Sequence, residues 1–192
     1  MARKLKVAIL GVTGAVGQEF LELLKERKFP IEELRLLASG RSAGKEIEFM
    51  GKVYKVQEAK PDSFKGLDLV LSSAGGAISR DLAPHIVKSG ALMVDNTSAF
   101  RMDPEIPLVV PEINPEDIAK HKGIIANPNC STIIMLVPLW PIHKVAQIKR
   151  IIAVTYQAAS GAGAKAMEEL QVQAKDFLAG KKVTPKVLPH PI

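Results

Sequence analysis

Short apolar runs alternate with amphipathic stretches through most of the chain. Lys6–Leu10 predicts a buried strand, and the apolar positions between Phe20 and Phe29 recur at helical spacing until Pro30 ends the run. Similar runs predict strands over residues 34–38, 67–71, 91–94 and 123–126, and a helix over residues 78–87. Strands that alternate with helices are typical of α/β folds, so the pattern predicts a Rossmann-like, doubly wound and mostly parallel sheet.

Two segments interrupt this alternation. Residues 46–50 and 52–56 alternate in hydrophobicity on either side of Gly51, which predicts a hairpin at the sheet edge. The segment 95–115 is polar and rich in proline, so little regular helix fits there. Asn114 as a cap, followed by Pro115, predicts a short helix directly after it.

The end of the chain has a different character. Residues 148–157 begin with polar alternation, which predicts a long strand in an open sheet that has one solvated face. A helix is expected over residues 164–178 and an extended tail from Pro185. The chain therefore divides into a Rossmann-like domain at residues 1–127 and a second, α+β domain at residues 128–192, which we expect to be incomplete.

Composition narrows the class of protein. The chain has 192 residues, of which 47% are hydrophobic, enough for a substantial core. Its single cysteine excludes an intrachain disulfide and suits a reducing compartment. The first apolar run is too short for a signal peptide, and none reaches the length of a membrane span. We expect a soluble, cytoplasmic protein that binds no membrane.

The charge of the chain indicates small anionic ligands rather than nucleic acid. The net charge is +6, but the basic residues are scattered along the sequence. One tryptophan and two tyrosines leave little aromatic surface on which bases stack. A mostly solvated basic surface is the simpler interpretation.

A glycine-rich turn follows the first predicted strand. The heptapeptide Gly11–Gly17, GVTGAVG, leads directly into the first predicted helix. Glycines allow the backbone to approach a pyrophosphate, and the N-terminus of the helix faces its charge. Thr13 occupies the place where the commonest fingerprint has its second glycine. Strand, turn and helix together predict a dinucleotide site, and a glycine turn without a ligand is the alternative.

The end of the second predicted strand indicates which dinucleotide is expected. An acidic residue at this point binds the ribose 2′-hydroxyl of NAD, but here Ser39, Arg41 and Ser42 follow the strand. Hydroxyls and a guanidinium suit a 2′-phosphate, so NADP is favoured over NAD and an incidental polar turn is less favoured. The small residues 72–76 fit beside the nicotinamide half, although an ordinary strand-to-helix turn explains them equally.

The single cysteine, Cys130, lies at a predicted helix start. Pro128 ends the preceding strand, Asn129 is a good cap, and an apolar run continues from Ile133. In the first turn, backbone N–H groups and the positive end of the helix dipole favour a thiolate. From position alone, a reactive nucleophile and a buried structural cysteine are equally good interpretations.

Five segments together resemble the aspartate-semialdehyde dehydrogenases, in the order of that family and over essentially the whole chain. They are Gly11–Gly17, Ser39–Gly44, Ser98–Arg101, Asn127–Thr132 and Thr155–Gly163. The resemblance is most specific at Asn129-Cys130-Ser131-Thr132. The N-acetyl-glutamyl-phosphate reductases and the glyceraldehyde-phosphate dehydrogenases have other residues around their cysteine.

The resemblance implies a role for each matching position, and it implies no metal. The implied NADP-binding residues are Gly11, Thr13, Gly14, Ala15, Val16, Ser39, Arg41, Ser42, Ser160 and Gly161. Cys130 would be the nucleophile, Gln157 would orient the substrate acyl group, and Arg101 would bind the substrate phosphate.

The implied activity is NADPH-dependent reductive dephosphorylation of L-aspartyl 4-phosphate to L-aspartate 4-semialdehyde through a thioester on Cys130. This reaction belongs to lysine, methionine and threonine biosynthesis. Residues 128–192 would then begin a catalytic and dimerisation domain, and the full-length form would be a homodimer or a dimer of dimers. The family's acid/base histidine and carboxylate-binding residues come from later in the chain than Ile192, so we expect weak or no activity from these residues alone.

Two other interpretations stay open at this point. One is a noncatalytic NADP-binding or assembly subunit, against which the intact Cys130 and Gln157 argue. The other is a reductase of a different acyl phosphate.

Overall fold

A parallel β-sheet forms the core of the first compact unit of the chain, which we describe from a computed structural model of residues 3–192. In chain order the strands are β1 (Leu5–Leu10), β2 (Ile31–Ala38), β3 (Glu46–Phe49), β4 (Lys52–Lys55), β5 (Gln57–Glu58), β6 (Leu69–Ser72), β7 (Leu92–Asp95) and β8 (Ile124–Ala126). The helices are α1 (Ala15–Glu26), α2 (Gly76–Lys88), α3 (Cys130–Ala146) and α4 (Ala164–Leu178). The main sheet has six parallel strands in the order β5-β2-β1-β6-β7-β8.

The topology confirms the predicted doubly wound sheet. From β1 the chain moves outward to β2 on one side and then returns to place β6 on the other side. Val7 is therefore paired with Leu34 of β2 and with Leu69 of β6. Such a reversal of strand order opens a crevice at the carboxyl ends of the two central strands, where ligands bind in folds of this type.

Alternate residues of β1 supply the cores on the two faces of the sheet. Val7 and Ile9 pack with Leu21 and Leu24 of α1, whereas Ala8 and Leu10 belong to a cluster that contains Ile86 of α2. The strand is apolar throughout because both of its faces are covered, which is typical of parallel sheets.

The hairpin and the short helix form with small differences from the prediction. Strands β3 and β4 pair antiparallel, but they make a separate two-stranded sheet, and the edge of the main sheet is β5. Pro115–Lys120 is a 3₁₀ helix whose predicted side-chain cap is wrong. The Asn114 side-chain oxygen accepts instead from the N–H of Val110, 2.9 Å away, because the proline-rich loop folds back onto it.

The predicted strand over residues 148–157 is wrong. These residues belong to neither a helix nor a strand, and no strand within residues 3–192 pairs with them. A strand needs a neighbour to satisfy its backbone groups, and apolar alternation alone does not supply one. Val154 and Tyr156 are fully or almost fully exposed.

The described chain forms two compact units, the first ending at Arg150 and the second comprising Ile151–Ile192. Helix α3 groups with the first unit, whereas the sequence placed a boundary after residue 127. The assignment of residues 1–127 and 128–192 to two functional domains stays a prediction.

The second unit is organised around Glu169 in the predicted helix α4. Its carboxylate is buried and accepts hydrogen bonds from the backbone N–H groups of Lys186, Val187 and Leu188. The Lys186 N–H makes the largest contribution to lowering the pKa of Glu169 below its ordinary value. Gln173, one turn later, accepts from the N–H of Ile192 at 2.8 Å. The tail is thus held along α4 rather than extended freely.

Candidate active site

The glycine turn closes the carboxyl end of β1. Gly11 has a φ of +92°, which favours glycine, and its N–H donates to the Leu37 carbonyl at 2.8 Å. A Cβ at this position would lie 2.8 Å from the backbone carbonyl carbon of Ser73. The turns after β1 and β6 therefore approach each other more closely than any side chain permits.

Helix α1 begins directly at this turn and packs tightly on it. Gly14 is the N-cap and has no side chain, so no N-cap side chain binds the first-turn N–H groups of Ala15 and Val16. Gly17 is buried, and a Cβ there would lie 2.6 Å from the Cα of Val12. The arrangement of bare backbone at a helix N-terminus suits a pyrophosphate.

The turn after β2 lies beside the glycine turn. Ser39 precedes a 3₁₀ turn over Gly40–Ser42, and the Thr13 hydroxyl donates to the Ser42 hydroxyl at 3.4 Å. Arg41 is exposed at the centre of this turn. Two groups of predicted cofactor-binding residues, far apart in the sequence, are thus brought together at the carboxyl ends of β1 and β2.

A buried hydroxyl network at the ends of β6 and β7 was missed by sequence reasoning. Ser72, Ser79 and Asp95 are fully buried. The Ser79 hydroxyl lies 3.0 Å from that of Ser72 and donates to the Asp95 carboxylate at 2.8 Å. The Thr97 hydroxyl donates to the other carboxylate oxygen at 2.6 Å. Residues 72 and 95 were visible as polar strand ends, but only pairing of β6 with β7 reveals that they meet.

The loop that begins at this network carries Arg101. Thr97 also accepts from the N–H of Ala99, which shapes the loop that carries the guanidinium. The Arg101 Nε donates to the Asn127 carbonyl at 2.9 Å, and its Nη2 donates to the Asn96 carbonyl at 3.1 Å. The Asn127 side-chain amide in turn donates to that of Asn96 at 2.8 Å. The fork is therefore fixed between the ends of β7 and β8.

Cys130 is the first residue of α3, as predicted. The Asn129 side-chain oxygen accepts from the N–H of Ser131 at 3.0 Å, which confirms the cap. The cysteine is exposed, so the alternative of a buried structural cysteine is wrong for the described chain. Since Arg101 binds the carbonyl of Asn127, the guanidinium and the thiol are held on the same short segment after β8.

The remaining predicted site residues lie in the second unit. Gln157 belongs to the exposed irregular segment, and its amide donates to the Thr155 hydroxyl at 3.1 Å. Ser160 and Gly161 form part of a 3₁₀ turn, Ala159–Ala162. Their assignment to the substrate and the nicotinamide stays a prediction.

The order of the strands arranges the first-unit residues in one row. The glycine turn follows β1, the Arg41 turn follows its neighbour β2, and Cys130 follows β8 on the other side. Three strand spacings separate β1 from β8, or about 14 Å at roughly 4.8 Å each. The predicted cofactor-binding residues of the first unit and the predicted nucleophile therefore follow the carboxyl ends of strands in one sheet.

Neither a metal-binding cluster nor a membrane-spanning helix is found in the part of the chain that the structure describes. Residues 3–192 contain no cluster of histidine, cysteine and acidic side chains suited to a metal ion. Among these same residues no helix is both long and apolar enough to cross a membrane.

Two family models match the chain. Residues 6–121 match the model described as semialdehyde dehydrogenase, NAD binding domain, and residues 139–192 match the semialdehyde dehydrogenase dimerisation domain. The chain is 58% identical over 192 residues to an aspartate-semialdehyde dehydrogenase of Synechocystis sp.. This match covers 100% of this chain but 57% of that relative. The match therefore spans a little more than half of the relative's length.

Solved structures of similar proteins have the same fold. Aspartate semialdehyde dehydrogenase II of Vibrio cholerae, solved in complex with ASA, is 47% identical with a TM-score of 0.91, covering 100% of this chain and 57% of that one. The Candida albicans aspartate semialdehyde dehydrogenase, solved with NADP, is 34% identical with a TM-score of 0.62, covering 73% of this chain and 47% of that one.

Proposed function

This chain belongs to the semialdehyde dehydrogenase family, and from that premise we propose that the protein is an NADP-dependent aspartate-semialdehyde dehydrogenase. It would reduce L-aspartyl 4-phosphate to L-aspartate 4-semialdehyde, a step that serves lysine, methionine and threonine biosynthesis. The names of the relatives and the ASA and NADP complexes of two of them support this choice of substrate and cofactor.

The observation that carries the proposal is a capped, exposed thiol that lies three residues after the carbonyl to which the Arg101 guanidinium is hydrogen bonded. Cys130 opens α3, where backbone N–H groups stabilise negative charge. Arg101 is held by two hydrogen bonds, one to the Asn127 carbonyl that precedes this helix and one to the Asn96 carbonyl after β7. A planar fork held in this way is suited to the phosphate of an acyl phosphate.

The chemistry follows from these two groups. The Cys130 thiolate attacks the acyl carbon, a thioester forms, and the phosphate leaves with the bonding electron pair towards Arg101. The backbone N–H groups of the first turn of α3 and the Gln157 amide are the donors that we assign to the developing oxyanion. NADPH, when bound, supplies the hydride that releases the thioester as an aldehyde.

The cofactor assignment rests on the fit of the first unit. The bare turn at Gly11 and the uncapped start of α1 fit a pyrophosphate, and the hydroxyl contact between Thr13 and Ser42 joins this turn to the turn that carries Arg41. Arg41 is placed to bind a 2′-phosphate at that end. We assign Ser160 and Gly161 to the nicotinamide end.

We also propose that the full-length protein is a homodimer or a dimer of dimers in the cytoplasm. The match of residues 139–192 to a dimerisation domain supports the assembly. Helix α3 presents exposed apolar side chains such as Ile134 and Val145, and Tyr156 is fully exposed in the second unit. Apolar surfaces of this kind are typical of contacts between subunits.

Acylation of the thiol tests the proposal without requiring complete turnover. The chain is incubated with aspartyl phosphate and its intact mass is measured. We expect an aspartyl adduct on Cys130, none with Cys130→Ser, and slower formation with Arg101→Leu than with Arg101→Lys. If the adduct forms as fast on Arg101→Leu as on the wild-type chain, the assignment of Arg101 to the phosphate is contradicted. No adduct at all favours a noncatalytic subunit, and an adduct from acetyl phosphate alone favours a different acyl phosphate.

A further inference from the structure

The edge strand β5 delivers a carboxylate to the turn that we assign to the 2′-phosphate. We propose that Glu58 and its partner Lys60 set the preference for NADP over NAD, with Lys60 neutralising a carboxylate that otherwise competes for this turn. The inference rests on the proposed cofactor, and it concerns residues outside the glycine turn and outside the Arg41 turn itself.

The backbone fixes the position of Glu58. It is paired in parallel register with Ala38, the last residue of β2, and the N–H of Ala59 donates to the Ala38 carbonyl at 2.8 Å. The Arg41 turn begins immediately after this strand end. An acid missing from the end of β2 is thus present at the end of the neighbouring strand.

Gly40 allows the carboxylate to lie against the turn. A Cβ at this position would lie 2.8 Å from the Oε1 of Glu58. Any larger residue would push the carboxylate away from the turn. The carboxylate therefore lies directly beside the residue that precedes Arg41.

Lys60 is held where it balances this charge. Its Nζ lies 2.8 Å from the Oε2 of Glu58. The Ser63 hydroxyl accepts from the N–H of Lys60 at 3.0 Å and donates to the carbonyl of Glu58 at 3.3 Å. The hydrogen bond to Glu58 raises the pKa of Lys60 above its ordinary value, so the lysine stays charged. The pair acts as a neutral unit at the edge of the site.

The electrostatic consequence has a definite sign. Within residues 3–192, Arg41 makes no ion pair and Glu58 makes its ion pair with Lys60. Without Lys60, the carboxylate repels a 2′-phosphate and attracts Arg41 away from it, whereas the uncharged 2′-hydroxyl of NAD is not repelled and donates readily to a carboxylate. For like charges about 8 Å apart, the change in a binding constant is about 2-fold in bulk water and about 30-fold at an effective dielectric of about 20. Because the pair is partly exposed, we expect roughly a 5-fold effect at low ionic strength.

Calorimetric titration of the 192-residue chain with NADP and with NAD tests this proposal. We expect Lys60→Met to weaken NADP binding by about 5-fold at low ionic strength while NAD binding is not weakened. Glu58→Gln should tighten NADP binding, and the double variant should return close to the wild-type value. The matched control is Lys65→Met, which removes a lysine from the exposed Asp62 pair of the same segment and should change both affinities equally.

The outcomes separate this inference from the proposed cofactor. It is overturned if Lys60→Met behaves like Lys65→Met, if the double variant does not recover, or if Glu58→Gln weakens NADP binding. NAD binding that is not weakened shows that each variant is folded. If Lys60→Met does not fold, Glu58→Gln decides the question alone. If the wild-type chain does not prefer NADP, or keeps its preference after Arg41→Ala, the proposed cofactor fails instead.

Discussion

Gly11→Ala is the sharpest test of the crevice between β1 and β6. A φ of +92° costs an alanine about 1–2 kcal/mol. The new Cβ would also lie 2.8 Å from the backbone of Ser73, which cannot rotate away as a side chain would. Moving one strand end against a packed sheet adds about 1–3 kcal/mol, so the free energy of unfolding should fall by about 3 kcal/mol.

Gly51→Ala supplies the matched control. Gly51 has a φ of +74° in the β3–β4 hairpin, but a Cβ there meets nothing within 4 Å. This variant therefore pays only the conformational cost of about 1–2 kcal/mol. Urea unfolding followed by circular dichroism measures both variants, and calorimetry measures NADP binding. We expect only Gly11→Ala to lose NADP affinity, by at least about tenfold for a disturbed phosphate turn. Equal losses of stability and unchanged affinity would refute the assignment of the crevice.

Three further predictions concern the thiol, the buried carboxylate and the second unit. Asn129→Ala removes the cap of α3 and should lower the free energy of unfolding by about 1 kcal/mol. The first-turn amides should then exchange faster and the alkylation rate of Cys130 should change, whereas Asn129→Ser should preserve both rates. Thr97→Val leaves an oxygen of the buried Asp95 carboxylate without the hydroxyl donor of Thr97, so the free energy of unfolding in urea should fall by about 1–3 kcal/mol. Thr97→Ser should avoid this loss, and equal losses in the two variants would contradict the role of the hydroxyl. Because the folded-state pKa of Glu169 is lowered, its stabilisation of the tail is complete above the ordinary pKa of 4.5 and is lost as the pH falls through the lower folded value. The protection of the tail amides, corrected for the intrinsic pH dependence of exchange, should therefore decrease as the pH falls below 4.5. Glu169→Gln should remove this decrease, and a decrease that persists would contradict the role of the carboxylate.

Local patterns predicted the elements that local rules govern. Helix α3 begins at Cys130 because Pro128 and Asn129 end one element and cap the next, and both signals are adjacent in the sequence. The helix from Ala164 to Leu178 and the Gly51 hairpin were likewise readable from periodicity and turn chemistry. In the site, the glycine turn and the position of the thiol followed from the same kind of signal.

Contacts between distant segments were not readable. The meeting of Ser79 with Asp95, and of Arg101 with the Asn127 carbonyl, depends on which strands are neighbours. The two-residue strand β5, which places Glu58, is too short to leave a periodic signal. The segment 148–157 shows the opposite error, because its alternation is real but no strand in the described chain lies beside it.

The pairing of β1 with β6 has a consequence for the order in which the protein forms during synthesis. Gly11 is enclosed by the backbone of Ser73 and Ala74, so every residue that encloses the glycine turn has been made once the chain as far as α2 is available. The turn that carries Cys130 follows β8 and is made later. Because a domain generally folds as a unit and both turns belong to the first compact unit, we expect the two turns to form together, after α3 has left the ribosome.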